Sequence, residues 1–296
     1  MKILLAAVTL AMVCMACAGT TPYVYQRTYL PGESYRYKMV RTYHENGEFK
    51  RAEVAESIHV VPADGAPRER IHFASLTKRT DQGTEDLSEE IGKFPEYEVT
   101  LAQVDNPKAL SLPDIKGWDM GVVGPVTDLH TFLVAISPQV GSDKVTLPGA
   151  THVQPEPVRG NWANGDSIPV GEDCIQISVE LVELTGDSVV YETRFLPPAA
   201  ACLEPLKPWM EDSVVEGSPN NFQQQMAMGP MAAAMWGREE FTVRSTVRRS
   251  DGLILRATMD NPLTLRLKVA CDQNLDDCKH EMPMTIRREL TLELVQ

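Results

Sequence analysis

Apolar and polar residues alternate with a period of two along much of this chain. Ile175, Ile177, Val179 and Leu181 are interleaved with Gln176, Ser178 and Glu180, the pattern of a half-buried strand. Thr185-Gly186-Asp187 turns the chain into Val189, Tyr191, Thr193 and Phe195. Phe241, Val243, Ser245 and Val247 repeat the alternation, and the tight-turn pair Asp251-Gly252 leads on to Leu253, Leu255, Ala257 and Met259. Leu263, Leu265, Leu267 and Val269, with Leu290, Leu292 and Leu294, predict a last pair. Earlier, Tyr35, Tyr37 and Met39 run to a turn at Asn46-Gly47, Val54, Ile58 and Val60 return, and Ile71 and Phe73 follow. A further pair is expected within Tyr97 to Leu112. One apolar and one charged face per strand predicts a sheet packed on one side only.

Helical signal is sparse. Pro125 suits a first helical turn, and Val126, Leu129, Leu133 and Ile136 share a face before Pro138, which predicts a helix over 125–137. A second candidate, Asn221 to Trp236, is interrupted by Gly229-Pro230. Asp81 to Lys93 is acidic and reads as an exposed loop. The expected fold class is therefore mainly β (α+β), a large curved antiparallel sheet or half-barrel with one or two short helices as a lid. Its divisions are a targeting segment (1–19), a first β-rich half (20–140), a Pro/Gly-rich connector (141–163) and a second β-rich half (164–296) with a Met-rich insertion at 197–240. Pro31-Gly32-Glu33-Ser34 and Asn164-Gly165-Asp166-Ser167 each feed a strand, an echo that suggests duplication.

The amino terminus changes the picture from fold to address. Lys2 precedes an apolar run from Ile3 to Met15, followed by the small residues Ala16-Cys17-Ala18, the layout of a secretory signal. The run falls short of the ~20 residues that a membrane-spanning helix needs. Cleavage after Ala18 would release a free chain. Alternatively, Cys14-Met15-Ala16-Cys17 resembles a bacterial lipobox, with Cys14 where an aliphatic residue is usual. That resemblance implies lipidation of Cys17 and, with Ala18 after it, sorting to the periplasmic side of the outer membrane.

Composition sets limits on partners. The 296 residues carry a net charge of −13 with Lys2 included, so nucleic acid is not an expected partner. Hydrophobic residues at 43% and charged ones at 23% suit an ordinary globular body. Beyond Cys14 and Cys17 four cysteines remain, an even number that favours disulfides in an exported chain. Cys271 and Cys278 bracket one short loop, which leaves Cys174 and Cys202 to pair across a predicted hairpin.

A Gly-Glu-Ser-Tyr-Arg-Tyr entry strand at 32–37, Leu147-Pro148, Pro157-Val158 and the closing Ser250-Asp251-Gly252-Leu253-Ile254 hairpin together resemble a group of uncharacterised bacterial exported proteins. More distantly, the chain resembles half-barrel lipoprotein carriers of the LolA, LolB and LppX type. That resemblance implies an apolar cavity that holds acyl chains, with no matching binding residue.

Candidate chemistry is thin. Residues expected to face a hydrophobic ligand are Val179, Leu181, Tyr191, Phe241, Val243 and Leu255, with Met226, Met228 and Met231 from the Met-rich segment. Clustered thioethers also suit Cu(I), although flexible Met fills cores and adaptable surfaces more often. Asp272, Asn274 and Asp276 copy the first oxygen positions of a calcium loop, but Asp277 replaces its Gly and Pro283 its Glu. The histidines are scattered; His59 and His72 would meet only if their strands pair in that register. Trp118, Trp162, Trp209 and Trp236 sit beside or within irregular segments. No nucleophile elbow, zinc-protease motif or phosphate loop is present, so no catalytic residue and no cofactor are assigned. The expected function is a non-enzymatic, lipid-anchored envelope protein that binds a hydrophobic small molecule, a lipid or an envelope protein. The alternatives are a structural protein with a filled core, a Cu or Ca binder, or an enzyme. The anchor is directly testable: Cys17→Ser should move the protein from the membrane to the soluble fraction, and unchanged fractionation would mean that Cys17 carries no lipid.

Overall fold

The β13–β14 hairpin, Ile254–Cys271 and Cys278–Val295, is the longest among the described residues and the axis about which the other strands are arranged. In the computed structural model the described residues are 21–65, 67–99, 121–122, 124–127, 141–161, 163 and 167–295. Among them fourteen strands form one antiparallel sheet. On one side β14 pairs with β1 (Ser34–Glu45), which continues through β2 (Glu48–Val60) and β3 (Glu69–Thr80) to the short edge strands β4 (Gly83–Asp86) and β5 (Tyr97–Val99). On the other side come β12 (Phe241–Arg248), β9 (Ser188–Leu196) and β8 (Val170–Leu184), edged by β6 (Thr151–Val153) and β7 (Val158–Asn161). The two β-rich halves are thus joined in one sheet by the pairing of β1 with β14.

A hairpin of β10 (Phe222–Met228) and β11 (Met231–Glu239) links β8 to β13 as well. Its pairings look like a closed ring, but the registers show a simpler layout. Arg238↔Thr264 and Thr242↔Asp260 belong to one register, so β11 and β12 are one line along β13. Likewise β10 and β9 lie end to end between that line and β8.

Alternation puts Tyr37, Met39, Ala55, Phe73, Ile177, Tyr191, Val243, Ala257, Leu290 and Leu292 in one buried cluster that spans both halves. The apolar faces expected for most strands are there. In β2 the reverse holds: Glu53, Ala55, Ser57 and His59 face the core, while Val54, Ile58 and Val60 are only half-buried. At Leu255 a bulge between Thr246 and Val247 shifts the register, and Ile254 takes the buried position instead.

Several expected boundaries differ. The segment 81–93 holds β4 and a short helix, Ser88–Gly92, whose Ile91 is fully buried, because one apolar side chain in an acidic stretch suffices to dock it. The connector 141–163 supplies the edge strands β6 and β7. The Met-rich candidate helix is instead the β10–β11 hairpin, since Gly229-Pro230 forms a two-residue turn and Gly229 adopts φ 65°. Trp236 consequently lies within a strand. Residues 121–122 and 124–127 are helical, so that helix starts ahead of Pro125. The remainder of 125–137, most of the pair expected in 97–112, Trp118, Trp162 and Gly165-Asp166 lie outside the described residues.

The residues before β1 form a strap across one end of the sheet. Tyr23 N–H donates to Thr146 O at 2.9 Å, Thr28 N–H to Asp251 O at 2.7 Å, and Tyr25 packs edge-on to Tyr191. Gly252 makes this approach possible: at φ 71°, a Cβ there would lie 2.3 Å from Gln26 O. Gly252→Ala should therefore destabilise the protein by about 2–3 kcal/mol through combined strain and displacement of the strap. Gly47→Ala, also at positive φ but with nothing within 4 Å, should cost only about 1 kcal/mol. Urea melts compare the two; equal losses would mean that the strap contact contributes nothing.

Candidate functional site

Three assemblies on the core-facing side of the sheet stand out from plain apolar packing. The first lies beneath the strap. Ser57 and His59 point to the same face of β2, and Glu69 joins them from β3. Ser57 Oγ lies 3.0 Å from His59 Nε2, and His59 Nδ1 lies 3.1 Å from Glu69 Oε2. The Tyr35 hydroxyl donates to the other Glu69 oxygen. Arg27 of the strap lies 3.7 Å from Glu69 and 3.1 Å from Glu33, with its guanidinium over the Tyr29 and Tyr35 rings. Tyr35 stacks on His59 and Tyr37 meets it edge-on.

The order serine, histidine, carboxylate matches a hydrolytic triad in connectivity. Its environment does not favour that chemistry: Ser57, His59 and Glu69 are 2%, 0% and 2% exposed, and two tyrosine rings cover the imidazole. A substrate would have to displace core side chains to reach Ser57. Burial alone would raise the Glu69 carboxyl. The hydrogen bonds from His59 and Tyr35 and the charge on Arg27 outweigh it and hold the group below its ordinary value. Burial pushes the Tyr35 and Tyr37 hydroxyls well up, reinforced by the neighbouring Glu69.

The second assembly lies further along the same face. Arg41, 4% exposed, pairs with Glu53, and Arg51 Nε reaches the other Glu53 oxygen at 3.2 Å. Burial pulls the Arg41 guanidinium down to about 10, against the opposing pull of Glu53. Gly124 of the helical turn packs close to Arg41. Nearby, Arg288 donates to Glu239 at 2.9 Å and to Asn261 at 2.6 Å. These charges are paired and locked, which suits a structural belt.

The third assembly is the part of β13 and β14 that outruns β1. Glu45, the last residue of β1, lies opposite Ile286, so the positions beyond it have no β1 neighbour. There the core-facing side is formed by Phe222, Leu263 and Leu265 with half-buried Met235, Met284 and Ile286. The same parity places Met226, Met228 and Met231 on this face, with Leu267 opposite both Met235 and Met282. Met228, Met231 and Met282 are 53%, 42% and 42% exposed. The other side of this extension is covered: Ala232, Ala234, Cys271 and Leu275 pack with Trp209 and Leu206.

The expected ligand-facing residues therefore divide. Val179, Leu181, Tyr191 and Val243 are closed within the core, with Phe241 half-buried against them. Leu255 is outside that cluster. Met226, Met228 and Met231 come together at the hairpin tip. Two clefts of about 490 and 510 Å³ adjoin at Glu289. The first is lined by Thr42, Thr242, Thr258 and Thr291, on the side away from the core.

Both expected disulfides are present, Cys174–Cys202 and Cys271–Cys278, and are compatible with an exported protein. Asp272, Asn274 and Asp276 are not gathered for a cation. The Asp272 carboxylate accepts the Asp276 and Asp277 N–H groups at 2.7 and 3.2 Å, and Asp276 pairs with Lys207. Among the described residues no group of His, Cys, Asp and Glu is placed to hold a metal. His59 and His72 lie on opposite faces, since Ile58 is the partner of His72.

Sequence reasoning missed the His59 cluster and the strap. Ser57-x-His59 was visible as a same-face pair, but Glu69 joins it only through the hairpin register. No protein-family model matches this chain, and no curated protein matches it. Among solved structures, a loop-deletion mutant of OmpT, an outer membrane protein of Vibrio cholerae, is similar at 8% identity over 90% of this chain and 100% of its own, with a TM-score of 0.13. That value carries no argument about fold or function.

The Glu69 carboxyl binds its proton less tightly when folded than when unfolded, so its contribution is present above about pH 4.5 and is lost as the pH falls through the folded value. Glu69→Gln should cost about 3 kcal/mol at pH 7 by removing the buried charge that His59, Tyr35 and Arg27 share, which leaves Arg27 only Glu33. Urea melts should show the wild-type advantage shrinking below pH 4.5; a gap that stays constant down to pH 3 would contradict the account.

Proposed function

We propose that this is a lipid-anchored, non-enzymatic binding module of the bacterial envelope, and that its docking surface is the Met-rich end of the core-facing side. The observation that carries the reading is the solvent exposure of Met228, Met231 and Met282 on the core-facing side, beyond the Arg288, Glu239 and Asn261 belt that divides this apolar end from the main core. A contiguous apolar face left open on a soluble domain marks a binding surface. Met suits ligands of varied shape because its side chain is flexible and polarisable. Phe222, Met226, Met228, Met231, Met235, Leu265, Leu267, Met282, Met284 and Ile286 bring no charge to the face, and Gln224, which the same parity places among them, is polar but uncharged. Such a surface fits an uncharged hydrocarbon chain, as of an acylated lipid or lipoprotein, better than it fits a polar metabolite.

The position of the tether supports the same reading. The strap, whose first described residue Thr21 follows Cys17 by four positions in sequence, crosses the end of the sheet where β14 finishes. Met282 lies thirteen residues before Val295, the end of this strand, and at ~3.3 Å per residue the two are about 43 Å apart. Docking would therefore occur well away from the anchoring membrane. The interior cavity implied by the likeness to half-barrel carriers is replaced here by an end face, because Val179, Leu181, Tyr191 and Val243 are packed against neighbours.

A fluorescent long-chain fatty acid provides the test. The wild-type chain should bind it saturably, and Met282→Glu with Met284→Glu should abolish binding while leaving the thermal melt intact. Equal binding by the double variant would refute this placement of the site.

A further inference from the structure

The β10–β11 tip differs from the face below it in being apolar through thioethers. Met228 and Met231 are direct cross-strand partners across the Gly229-Pro230 turn, and Met226 lies two residues earlier on the same face. Such positions have Cβ atoms about 5 Å apart when opposite and about 7 Å apart on the diagonal. Three flexible side chains at those spacings can bring their sulfurs onto one point in space.

The tip is also held. Gln273 Nε2 donates to Gly229 O and Met231 O, both at 3.1 Å, thereby bracing the turn from outside. Gln225 Nε2 in turn donates to Gln273 O at 3.2 Å. The loop that presents Gln273 is closed by Cys271–Cys278 and tightened by the Asp272 carboxylate on two backbone N–H groups. On the other edge, Ala227 N–H donates to Ser167 O at 2.9 Å. Thus the loop that mimics the start of a calcium site serves as a brace for the methionine turn. The braced turn fixes the spacing of the three backbone positions, as a coordination site requires.

We propose that Met226, Met228 and Met231 form a thioether site for a single Cu(I) ion, pre-organised by Gln273. Thioethers are soft donors that favour Cu(I) over hard cations. The competing thiolates are removed, since Cys174, Cys202, Cys271 and Cys278 are all in disulfides. Met228 and Met231 are open enough for an ion to reach them. Binding is simple coordination, with no bond broken and no electron transferred.

Ag(I) is the appropriate probe, because it shares the soft chemistry of Cu(I) and needs no reductant that would open the disulfides. Titration of the mature chain, followed by calorimetry and native mass spectrometry, should show one equivalent bound. The variant M226L/M228L/M231L keeps the tip apolar and should lose that equivalent while retaining the wild-type thermal melt. Met282→Leu should bind Ag(I) as wild type does. Gln273→Ala should keep the stoichiometry with weaker affinity. No Ag(I) binding by wild type, or undiminished binding by the triple variant, would overturn the proposal. The two readings fail separately: Met282→Glu with Met284→Glu, which lie on β14 outside the thioether set, should lose fatty-acid binding and keep the Ag(I) equivalent.

Discussion

The register of β13 and β14 is the constraint on which the rest of the protein depends. Because side chains alternate strictly, every second residue of β14 from Leu292 back to Met282 must look to the same side of the sheet. Where β1 and β2 lie alongside, that side is buried core. Where β1 ends, the same parity continues without those neighbours, and the core face becomes surface. An apolar end face is thus the direct consequence of one hairpin being longer than the strands beside it. The β10–β11 hairpin widens this extension and contributes four of its methionines, while Trp209 and the Cys271–Cys278 loop seal the reverse side.

At the other end of the sheet the same face is closed by charge. Arg27 enters from the strap into a cluster with Glu33, Glu69, His59 and Tyr35, and each charge finds a partner. Removing any one member leaves the others buried and uncompensated, so the cluster fixes where the strap sits more than it adds net stability. On the proposed reading an anchor at Cys17 would join the body through this strap, which the buried cluster holds against the sheet.

The strands of the second half were legible because Ile175 to Leu181 and Phe241 to Val247 alternate cleanly, as one-sided burial requires. The disulfide partners were legible from spacing. The first half was harder. In β2 the residues that face the core are Glu53, Ser57 and His59 with the small Ala55, so a reading that places large apolar residues inside selects Val54, Ile58 and Val60 and inverts the strand. Only the pairing with Glu69 and Arg41 makes the polar side the inner one. Leu255 was misplaced by a bulge, which no local pattern signals. The Met-rich segment was read as an interrupted helix, although Gly-Pro flanked by Met226-x-Met228 and Met231 is equally the pattern of a hairpin. Its partner β13 lies thirty residues further on, which is why local sequence could not decide.

The central claim is that the methionine face is open, continuous and able to hold an apolar chain. Methionine oxidation by dilute peroxide, resolved by peptide mass spectrometry with and without a bound long-chain fatty acid, tests it most directly. In the free protein Met228, Met231 and Met282 should oxidise rapidly, while Met39 and Met259, which are buried, remain protected; the fatty acid should slow oxidation at Met282 and Met284. Uniform oxidation of all these residues, or rapid oxidation at Met282 that the fatty acid leaves unchanged, would contradict the account.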